Sequence, residues 1–328
     1  MATYLLTGAA GFIASRVADL LLEASHTVIA LDNLNDAYDV RLKEWRLSRL
    51  VEHPNFKFHR IDISDRAAVD AFFDQLGQEK IEAVINLAAR AGVRQSVDNP
   101  WIYYDTNTTG TLNLMEQCRA LDIPKFVLAS TSSLYGAHNP MPFSEDADTS
   151  RPLSPYAASK KAAETLAYTY HYLYGTDVTV LRFFTVYGPA GRPDMSLFRF
   201  VQAVSEGRKV PVYGDGQQSR DFTYVDDIAR GAIAALRPLG YEVINLGSDA
   251  PVVLADALAT VEEFTGRTAI IDRLPMHKSD VPATWANIGK AEELLGWRPQ
   301  VDMREGIRRL VDWYNENRDW TSSIETGA

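Results

Sequence analysis

The chain has 328 residues, and its 33 basic and 43 acidic side chains give a net charge of -10. Apolar residues make up 46% and charged residues 23%, an ordinary globular composition that excludes a disordered or fibrous chain. The acidic balance disfavours nucleic acid as a partner, because like charges repel a phosphate backbone.

The N-terminus and the cysteine content indicate where the protein works. The chain starts MATYLLTG, without the basic start and long apolar core of a secretory signal peptide. No apolar run approaches the roughly 18 residues that cross a bilayer. The single cysteine, Cys118, excludes an internal disulfide and is typical of a reducing compartment. We therefore expect a cytoplasmic protein that has no membrane segment.

The first half of the chain alternates short apolar runs with amphipathic stretches. Apolar runs that predict strands occur at residues 4–6, 28–31, 56–58, 83–87, 126–129 and 178–181. Amphipathic stretches such as residues 13–22 and 67–76 predict helices between them. Because strands and helices alternate, we expect an α/β fold with a Rossmann-type, doubly wound parallel sheet.

The pattern becomes less regular after about residue 185, where loops with Gly and Pro separate shorter elements. We expect residues 1–185 to form the doubly wound domain and residues 186–328 to form a smaller α+β lobe. No repeat, low-complexity segment or polar linker separates the two parts. The boundary is therefore soft, and segments of one part can interlace with the other.

A glycine-containing turn, TGAAGFIA at residues 7–14, follows the first predicted strand and opens the first predicted helix. A helix start offers unpaired N–H groups and a positive dipole end, which suit a pyrophosphate. Gly8 allows the tight turn and Gly11 allows close approach, while Ala14 stands where a third glycine is usual. Taken alone, this motif also fits an ordinary strand–helix turn.

Asp32 strengthens the case, because it ends the second predicted strand 24 residues after Gly8. Its carboxylate can bind both hydroxyls of an adenosine ribose and would repel a 2′-phosphate, which favours NAD over NADP. The ends of the third and fourth strands supply natural adenine and ribose contacts. The expected cofactor contacts are Gly8, Gly11, Phe12, Ile13, Asp32, Asn33, Asp62, Ile63, Leu87, Ala88 and Ala89.

Tyr156 and Lys160 lie four residues apart and so share one face of a predicted helix. A free tyrosine has a pKa of about 10, and a neighbouring ammonium would stabilise its phenolate. An exposed pair on an amphipathic helix would show the same spacing. The fifth predicted strand ends in hydroxyl residues, which brings further polar groups to the ligand-binding edge of the sheet: Ser130, Thr131, Ser132 and Ser133.

With a glycine turn, a hydroxyl cluster and a Tyr–Lys pair in this order, the chain resembles the extended short-chain dehydrogenase/reductase superfamily over nearly its whole length. The resemblance implies that NAD stays on the enzyme and that Tyr156 acts as the base. It implies that Lys160 binds the nicotinamide ribose and Thr131 the substrate hydroxyl, with Ser132 and Ser133 beside them. Asn107 matches a family asparagine near the active centre and is expected near the cofactor.

The second half resembles the nucleotide-sugar lobe of that superfamily, which makes residues 1–185 the expected NAD-binding part and 186–328 the UDP-sugar part. In the segment at residues 214–227, Arg220 matches the arginine that holds a UDP diphosphate. Asp280 matches an acid that binds the uridine ribose, although Ser279 replaces the usual glycine and His277 an arginine of some relatives. Val212 and Tyr213 are further expected substrate contacts. Each of these positions would also fit a surface loop.

Two features resemble the UDP-glucuronate 4-epimerases in particular. Related dehydratases and decarboxylases carry a glutamate where this chain has Ser133, so the usual acid for chemistry at C5 is absent. Thr185 and Arg192, in the segment RFFTVYGPAGRPDM at residues 182–195, match groups that would face a hexuronate carboxylate. Arg90 and Arg94 are secondary candidates for the same contact. Arg192 would also fit a loop arginine on a phosphate or on a surface acid.

The resemblance implies epimerisation of UDP-glucuronate to UDP-galacturonate through a 4-keto intermediate, with NAD regenerated in each cycle. It also implies a homodimer formed by helices at residues 99–120 and 156–174. The six histidines show no paired metal-ligand spacing, so we expect no metal. Three alternatives remain open: a 4-epimerase of UDP-glucose and UDP-galactose, a UDP-glucuronate decarboxylase, and an NAD-binding sensor without turnover.

Overall fold

The computed structural model of the chain describes residues 1–77, 79–275 and 280–327. His277 and Ser279, which the sequence analysis named beside Asp280, lie outside the described residues.

The strands and helices have the following bounds. The strands are β1 Thr3–Thr7, β2 Thr27–Asp32, β3 Phe56–Arg60, β4 Ala83–Asn86, β5 Lys125–Thr131, β6 Asp177–Phe183, β7 Thr185–Tyr187, β8 Lys209–Tyr213, β9 Ser219–Tyr224, β10 Tyr241–Leu246, β11 Pro251–Val253 and β12 Ile270–Leu274. The helices are α1 Phe12–Glu23, α2 Arg41–Ser48, α3 Arg66–Leu76, α4 Gln95–Asp98, α5 Trp101–Tyr103, α6 Gly110–Ala120, α7 Pro155–Tyr174, α8 Ser196–Ser205, α9 Val225–Ala234, α10 Leu254–Thr265, α11 Gly289–Leu295, α12 Met303–Glu316 and α13 Arg318–Thr321. A π-helical segment, Tyr104–Thr109, joins α5 to α6, and a short 3₁₀ turn, Ser132–Tyr135, follows β5.

The large sheet has seven parallel strands in the order β10-β6-β5-β4-β1-β2-β3. The predicted doubly wound α/β fold is confirmed. Strands β2 and β3 lie on one side of β1, and strands β4, β5 and β6 lie on the other. Because the strand order reverses between β1 and β4, a crevice opens beyond the carboxyl ends of these two strands. Ligands of doubly wound proteins bind at such a crevice.

Both faces of this sheet are apolar and buried, because successive residues of a strand point to opposite faces. Leu5 and Leu6 are neighbours on β1 and point to opposite faces. Leu6 packs in the core that contains α1 and α9, and Leu5 packs in the core that contains α3, α6 and α7. Helices therefore cover both faces of the sheet, and the carboxyl ends of the strands remain open at the crevice.

Most of the residues after 185 form a smaller part with two short sheets, β11-β9-β7 and β12-β8. Helices α8, α10 and α12 bury a separate apolar core against these strands. Three elements are exceptions: β10 pairs in parallel with β6 and so completes the edge of the large sheet, and α9 and α11 pack in a core of that sheet. None of the described helices combines the length and apolarity that crossing a membrane requires.

Candidate active site

A cleft of about 430 Å³ runs along the carboxyl ends of the large sheet, between it and the smaller part. Most residues that the sequence singled out line this cleft. They are Gly8, Gly11, Phe12, Ile13, Asp32, Asn33, Asp62, Ile63, Leu87, Ala88, Ala89, Thr131, Ser132, Ser133, Tyr156, Lys160, Thr185, Arg192, Arg220 and Asp280. Arg94, Asn107, Val212 and Tyr213 lie outside its lining.

The β1–α1 turn needs its glycines for steric reasons. Gly8 has a φ of 72°, and a Cβ added there would lie 2.8 Å from the Cα of Ala88. A Cβ on Gly11 would lie 2.7 Å from the carbonyl oxygen of Gly8. No side chain caps α1 at Gly11, so the first N–H groups of this helix remain available at the cleft. The turn therefore presents backbone N–H donors of the kind that an anion site requires.

Asp32 ends β2 beside this turn and is fixed by two backbone donors. Its Oδ2 accepts from the N–H of Ala10 at 3.1 Å, and its Oδ1 accepts from the N–H of Leu34 at 2.8 Å. Asp62 accepts from the amide of Asn33 at 2.7 Å and from the hydroxyl of Ser64 at 2.6 Å. Burial opposes ionisation of Asp62, but these hydrogen bonds outweigh it and keep its pKa below the ordinary value. Two oriented carboxylates therefore line the end of the cleft at which the sequence predicts the adenosine of NAD.

The structure adds a basic group that the sequence reasoning missed. Lys43 on α2 is only 5% exposed and lines the cleft. Its Nζ donates to Oδ1 of Asn35 at 3.0 Å and lies 5.1 Å from the centre of the Tyr38 ring. Burial lowers the pKa of Lys43 to about 8, against the opposing charge of Asp32. The sequence feature that could have indicated it is a lysine on α2, the first helix after the strand that Asp32 ends.

Tyr156 and Lys160 project from α7 towards the end of β5. Helix α7 begins at Pro155, and the Ser154 hydroxyl caps it by accepting from the N–H of Ala157 at 3.2 Å. The Nζ of Lys160 donates to the carbonyl oxygen of Ala129 at 2.9 Å. Burial lowers the pKa of Lys160 to about 8, and the charge of Glu164 opposes that shift.

The phenol of Tyr156 has three notable neighbours. Burial raises its pKa, while the nearby Thr131 hydroxyl and the positive charge of Arg192 act in the opposite direction. The ring of Tyr103 packs edge-on against it, with centroids 6.1 Å apart. The Thr131 hydroxyl donates to Oγ of Ser133 at 3.1 Å, which links the phenol to the hydroxyl cluster. The predicted base and hydroxyl groups thus meet at one wall of the cleft.

Asn107 has a different environment from the one expected. It lies in the π-helical segment, and its Oδ1 accepts from the N–H of Arg90 at 2.9 Å. Its Nδ2 donates to the carbonyl oxygen of Arg90 at 3.0 Å and to Oγ of Ser159 at 2.9 Å. The side chain therefore ties the loop after β4 to α7 and does not itself line the cleft.

At the expected sugar end, Thr185 and Arg192 line the cleft together. Arg192 is bound to Asp194 through two hydrogen bonds, and its Nη2 also donates to the carbonyl oxygen of Ala91 at 3.1 Å. Burial opposes its charge, but Asp194 outweighs that effect and raises the pKa of Arg192 above its ordinary value. Arg192 therefore keeps its positive charge throughout the accessible pH range.

At the expected uridine end, Arg94 joins the two parts of the chain. Its Nη2 donates to Oδ2 of Asp280 at 2.6 Å, and its guanidinium lies 3.8 Å from the centre of the Tyr213 ring. Arg220 lines the cleft nearby and is held by the carbonyl oxygen of Ser219 at 2.8 Å. Val212 is buried in the core of the smaller part. Among the described residues, no cluster of three or more His, Cys, Asp or Glu side chains could hold a metal ion.

Comparisons with known proteins agree with this geometry. Residues 4–247 match the pattern of the NAD dependent epimerase/dehydratase family. A UDP-glucuronate 4-epimerase of Thermodesulfobacterium geofontis is 53% identical over 326 residues, which cover 99% of this chain and 100% of that one.

Solved structures of similar fold cover almost the whole chain. The UDP-glucuronic acid 4-epimerase from Bacillus cereus, in complex with UDP-glucuronic acid and NAD, is 34% identical with a TM-score of 0.89, covering 96% of this chain and 99% of that one. A UDP-glucose 4-epimerase from Thermotoga maritima with UDP-glucose is 32% identical with a TM-score of 0.88, and covers 96% and 99%.

Proposed function

The chain belongs to the NAD dependent epimerase/dehydratase family, and from this premise we propose that it interconverts UDP-glucuronate and UDP-galacturonate. The reaction inverts C4 of the sugar, with NAD as the cofactor, and the enzyme is an isomerase. The observation that carries the proposal is one cleft in which Tyr156, Lys160 and Thr131 meet an arginine, Arg192, suited to a uronate carboxylate.

The residues around the β1–α1 turn fit NAD. The glycine turn leaves the first N–H groups of α1 open to the cleft, which suits a pyrophosphate, and Asp32 offers oriented oxygens to a ribose. Lys43 adds a buried positive charge near the same end of the cleft. Lys160 is within the cleft to bind the second ribose through its ammonium. When bound, NAD supplies reversible oxidation of C4.

The chain's own groups move the proton at O4. Tyr156 as phenolate would accept the proton of the C4 hydroxyl, and Thr131 would orient that oxygen by a hydrogen bond. The ammonium of Lys160 stabilises the phenolate from the same helix face. After the 4-keto sugar turns about its diphosphate bonds, Tyr156 returns the proton to O4 and the opposite configuration results.

The two ends of the substrate need different partners. We assign the uronate carboxylate to Arg192 and Thr185, because a carboxylate in a buried site must be paired. The diphosphate is assigned to Arg220 and the uridine ribose to Asp280, both of which line the cleft. Asp280 is paired with Arg94 in this structure, so ribose binding would exchange one partner of this carboxylate for another.

Two rival activities differ in what they require from the site. A decarboxylase of this superfamily would use an acid at position 133, where this chain has Ser133. A 4-epimerase of neutral UDP-hexoses would have no use for a guanidinium at the sugar, and Arg192 therefore favours the uronate. A sensor would need no proton-transfer group, yet Tyr156 and Thr131 line the cleft together.

We also propose that residues 1–185 bind NAD and residues 186–328 bind the UDP-sugar. The NAD contacts assigned above all come from the first range. The second range contributes β10, which pairs with β6 at the edge of the large sheet. Arg192, Arg220 and Asp280 come from the second. The boundary near residue 185 lies where the chain leaves β6 for β7.

A homodimer through the two predicted helical stretches is a further proposal. Both stretches carry large apolar side chains that are exposed in the single chain. The most exposed are Trp101 at 77% on the first stretch and Tyr172 at 75% on the second. Sedimentation of the wild type and of Tyr172→Glu tests this, since a charge at the interface would release monomers.

A cytoplasmic location is also proposed from the cysteine content. Cys118 is buried on α6, where burial raises the pKa of its thiol, and the chain has no second cysteine. A protein without disulfides needs no oxidising compartment.

Product analysis tests the central proposal. The purified enzyme is incubated with UDP-glucuronate, UDP-glucose and UDP-N-acetylglucosamine, and each product is identified. We expect UDP-galacturonate from the first substrate, no net consumption of NAD, and NAD that co-purifies with the protein. A UDP-pentose as the main product would identify a decarboxylase, and faster conversion of UDP-glucose would identify an epimerase of neutral sugars.

A further inference from the structure

We propose that Glu164 is a positioning residue for the epimerisation: it locks α7 to β5 and supplies the buried negative charge that faces Lys160. This inference rests on the proposed function for its role in turnover. It does not concern substrate or cofactor contact, because Glu164 lies behind the cleft and not in its lining.

Three side chains of one helix face meet three successive residues of one strand. Tyr156, Lys160 and Glu164 follow each other at intervals of four on α7. Lys160 bonds the carbonyl oxygen of Ala129 at 2.9 Å, and Glu164 accepts from Oγ of Ser130 at 2.6 Å.

The third contact involves the proposed base, because the phenol of Tyr156 lies close to the Thr131 hydroxyl. The base, the lysine and the glutamate thus lie against adjacent residues of β5. A shift of α7 along the strand that disturbed one contact would disturb the other two.

Glu164 is held as a carboxylate deep in the protein. Its exposed fraction is 2%, and Arg182 on β6 binds it through two hydrogen bonds, at 3.0 Å to Oε1 and 2.9 Å to Oε2. Arg182 is itself only 3% exposed. Burial opposes the charge of Arg182, but Glu164 outweighs it and raises the pKa of this arginine. Arg182 therefore keeps its positive charge across the working pH range.

Glu164 follows Lys160 by one helical turn on the same face of α7, whereas Arg182 lies on β6. The negative charge of Glu164 opposes the effect of burial on the pKa of Lys160. The other charged and titratable groups around the two residues are Tyr156 and Lys161 on α7, Arg182 on β6, Tyr241 on β10 and Arg192 across the cleft.

The charge on Lys160 matters because an uncharged amine would not stabilise the phenolate of Tyr156. Burial already brings the pKa of Lys160 down to about 8. Without Glu164 this pKa would fall further, and Lys160 would lose its proton within the working range. The alkaline limb of the kcat profile would then move to lower pH.

The test uses the NAD-bound enzyme and three variants. Glu164→Gln removes the charge but leaves that of Arg182 buried and unpaired, which can prevent folding. Glu164→Gln with Arg182→Met removes both charges together and keeps the test available. Glu164→Asp keeps the charge and serves as the matched control.

Two readouts separate this inference from the proposed function. The first is the titration of Lys160 itself, followed by ¹³C NMR of lysine Cε and assigned with Lys160→Met. We expect its midpoint to fall by about one pH unit in the double variant and to stay close to the wild type in Glu164→Asp. The second is kcat against pH with UDP-glucuronate, where the alkaline limb should move by the same amount while KM stays within about twofold.

An unchanged Lys160 midpoint in the double variant would overturn the inference, whatever happens to kcat. An equal fall in Glu164→Asp would also overturn it, because that variant keeps the charge. If the wild type does not epimerise UDP-glucuronate, the proposed function fails, and the NMR titration still decides the role of Glu164.

Discussion

Arg192 and Asp194 form a two-bond ion pair in the wall of the cleft, with Nε to Oδ1 at 3.0 Å and Nη2 to Oδ2 at 2.6 Å. Their side chains are 21% and 15% exposed. Within the part of the chain that the structure describes, Nη1 of Arg192 makes no hydrogen bond. A substrate carboxylate would therefore meet a neutralised pair with one donor group left, so selectivity must depend on directed hydrogen bonds more than on net charge.

This geometry predicts the effect of Arg192→Ala. Loss of one partner of a buried charge pair costs about 2 kcal/mol or more, so we expect kcat/KM for UDP-glucuronate to fall by at least about 30-fold. Binding of UDP-glucose, which has no carboxylate, should change much less. Isothermal titration with both UDP-sugars and steady-state kinetics measure the two effects.

Arg192→Ala also leaves Asp194 without its partner, and that carboxylate could repel the substrate. The double variant Arg192→Ala with Asp194→Ala separates the two causes. If the double variant recovers normal kcat/KM for UDP-glucuronate, repulsion by Asp194 explains the loss and Arg192 does not hold the carboxylate.

Tyr156→Phe should lower kcat by about 10²- to 10⁴-fold, because general acid–base groups contribute on that scale. The Kd for UDP-glucuronate should change only a few-fold, since the ring remains. Tyr103→Phe is the matched control: it removes a hydroxyl from the tyrosine that packs edge-on against Tyr156, without removing the base. Equal losses in the two variants would mean that packing and not proton transfer is measured.

The local parts of the site could be predicted from the sequence, because their geometry follows from short-range spacing. Gly8 and Gly11 must form the tight turn after a strand, and Tyr156 and Lys160 must share a helix face. Contacts between distant segments could not be read in this way. Arg94 and Asp280 are 186 positions apart, and only the fold brings them together.

Asn107 also shows that contacts between distant segments cannot be read from the sequence. Its match to the family pattern points to the cofactor, but the sequence does not show that its amide already bonds Arg90 and Ser159. Lys43 was missed because a lysine on a short, predominantly polar helix is usually solvated. Its burial depends on how α2 lies over the cleft, which no local pattern encodes.

Lys43 yields a pH-dependent prediction about NAD. Burial lowers its pKa to about 8, so its ammonium is present below that pH and is lost as the pH rises above it. We expect the affinity of NAD-free enzyme for NAD to fall between pH 7 and pH 9. Lys43→Met should bind NAD about tenfold or more weakly at pH 7, the cost of a charge-assisted hydrogen bond.

Lys160 titrates in the same range, so the useful quantity is the difference in NAD affinity between the wild type and Lys43→Met at each pH. That difference should shrink as the pH rises from 7 to 9. Lys43→Arg, whose charge does not titrate there, should keep it constant. A difference that stays the same at every pH would mean that the Lys43 ammonium is not what binds NAD.

Thr185 gives a prediction about a side reaction. The 4-keto form of glucuronate is a β-keto acid, which loses carbon dioxide when the bond from C5 to the carboxylate stands perpendicular to the ketone plane. The electrons of that bond then pass to the C4 carbonyl, and a proton at C5 completes the 4-keto pentose. An epimerase must therefore hold the carboxylate away from this orientation while the ring turns.

The Thr185 hydroxyl lines the cleft beside Arg192 and, among the residues that the structure describes, has no hydrogen-bond partner. It is therefore free to fix the second carboxylate oxygen. Thr185→Val keeps the shape of the side chain and removes only this donor. We expect slower epimerisation together with release of carbon dioxide and UDP-4-keto-pentose, and reduced cofactor left on the enzyme, detected by its absorbance.

Thr185→Ser, which keeps the hydroxyl, should suppress the side reaction. Epimerisation by Thr185→Val at the wild-type rate without keto-pentose would show that the hydroxyl does not restrain the carboxylate, and Arg192 alone would have to do so.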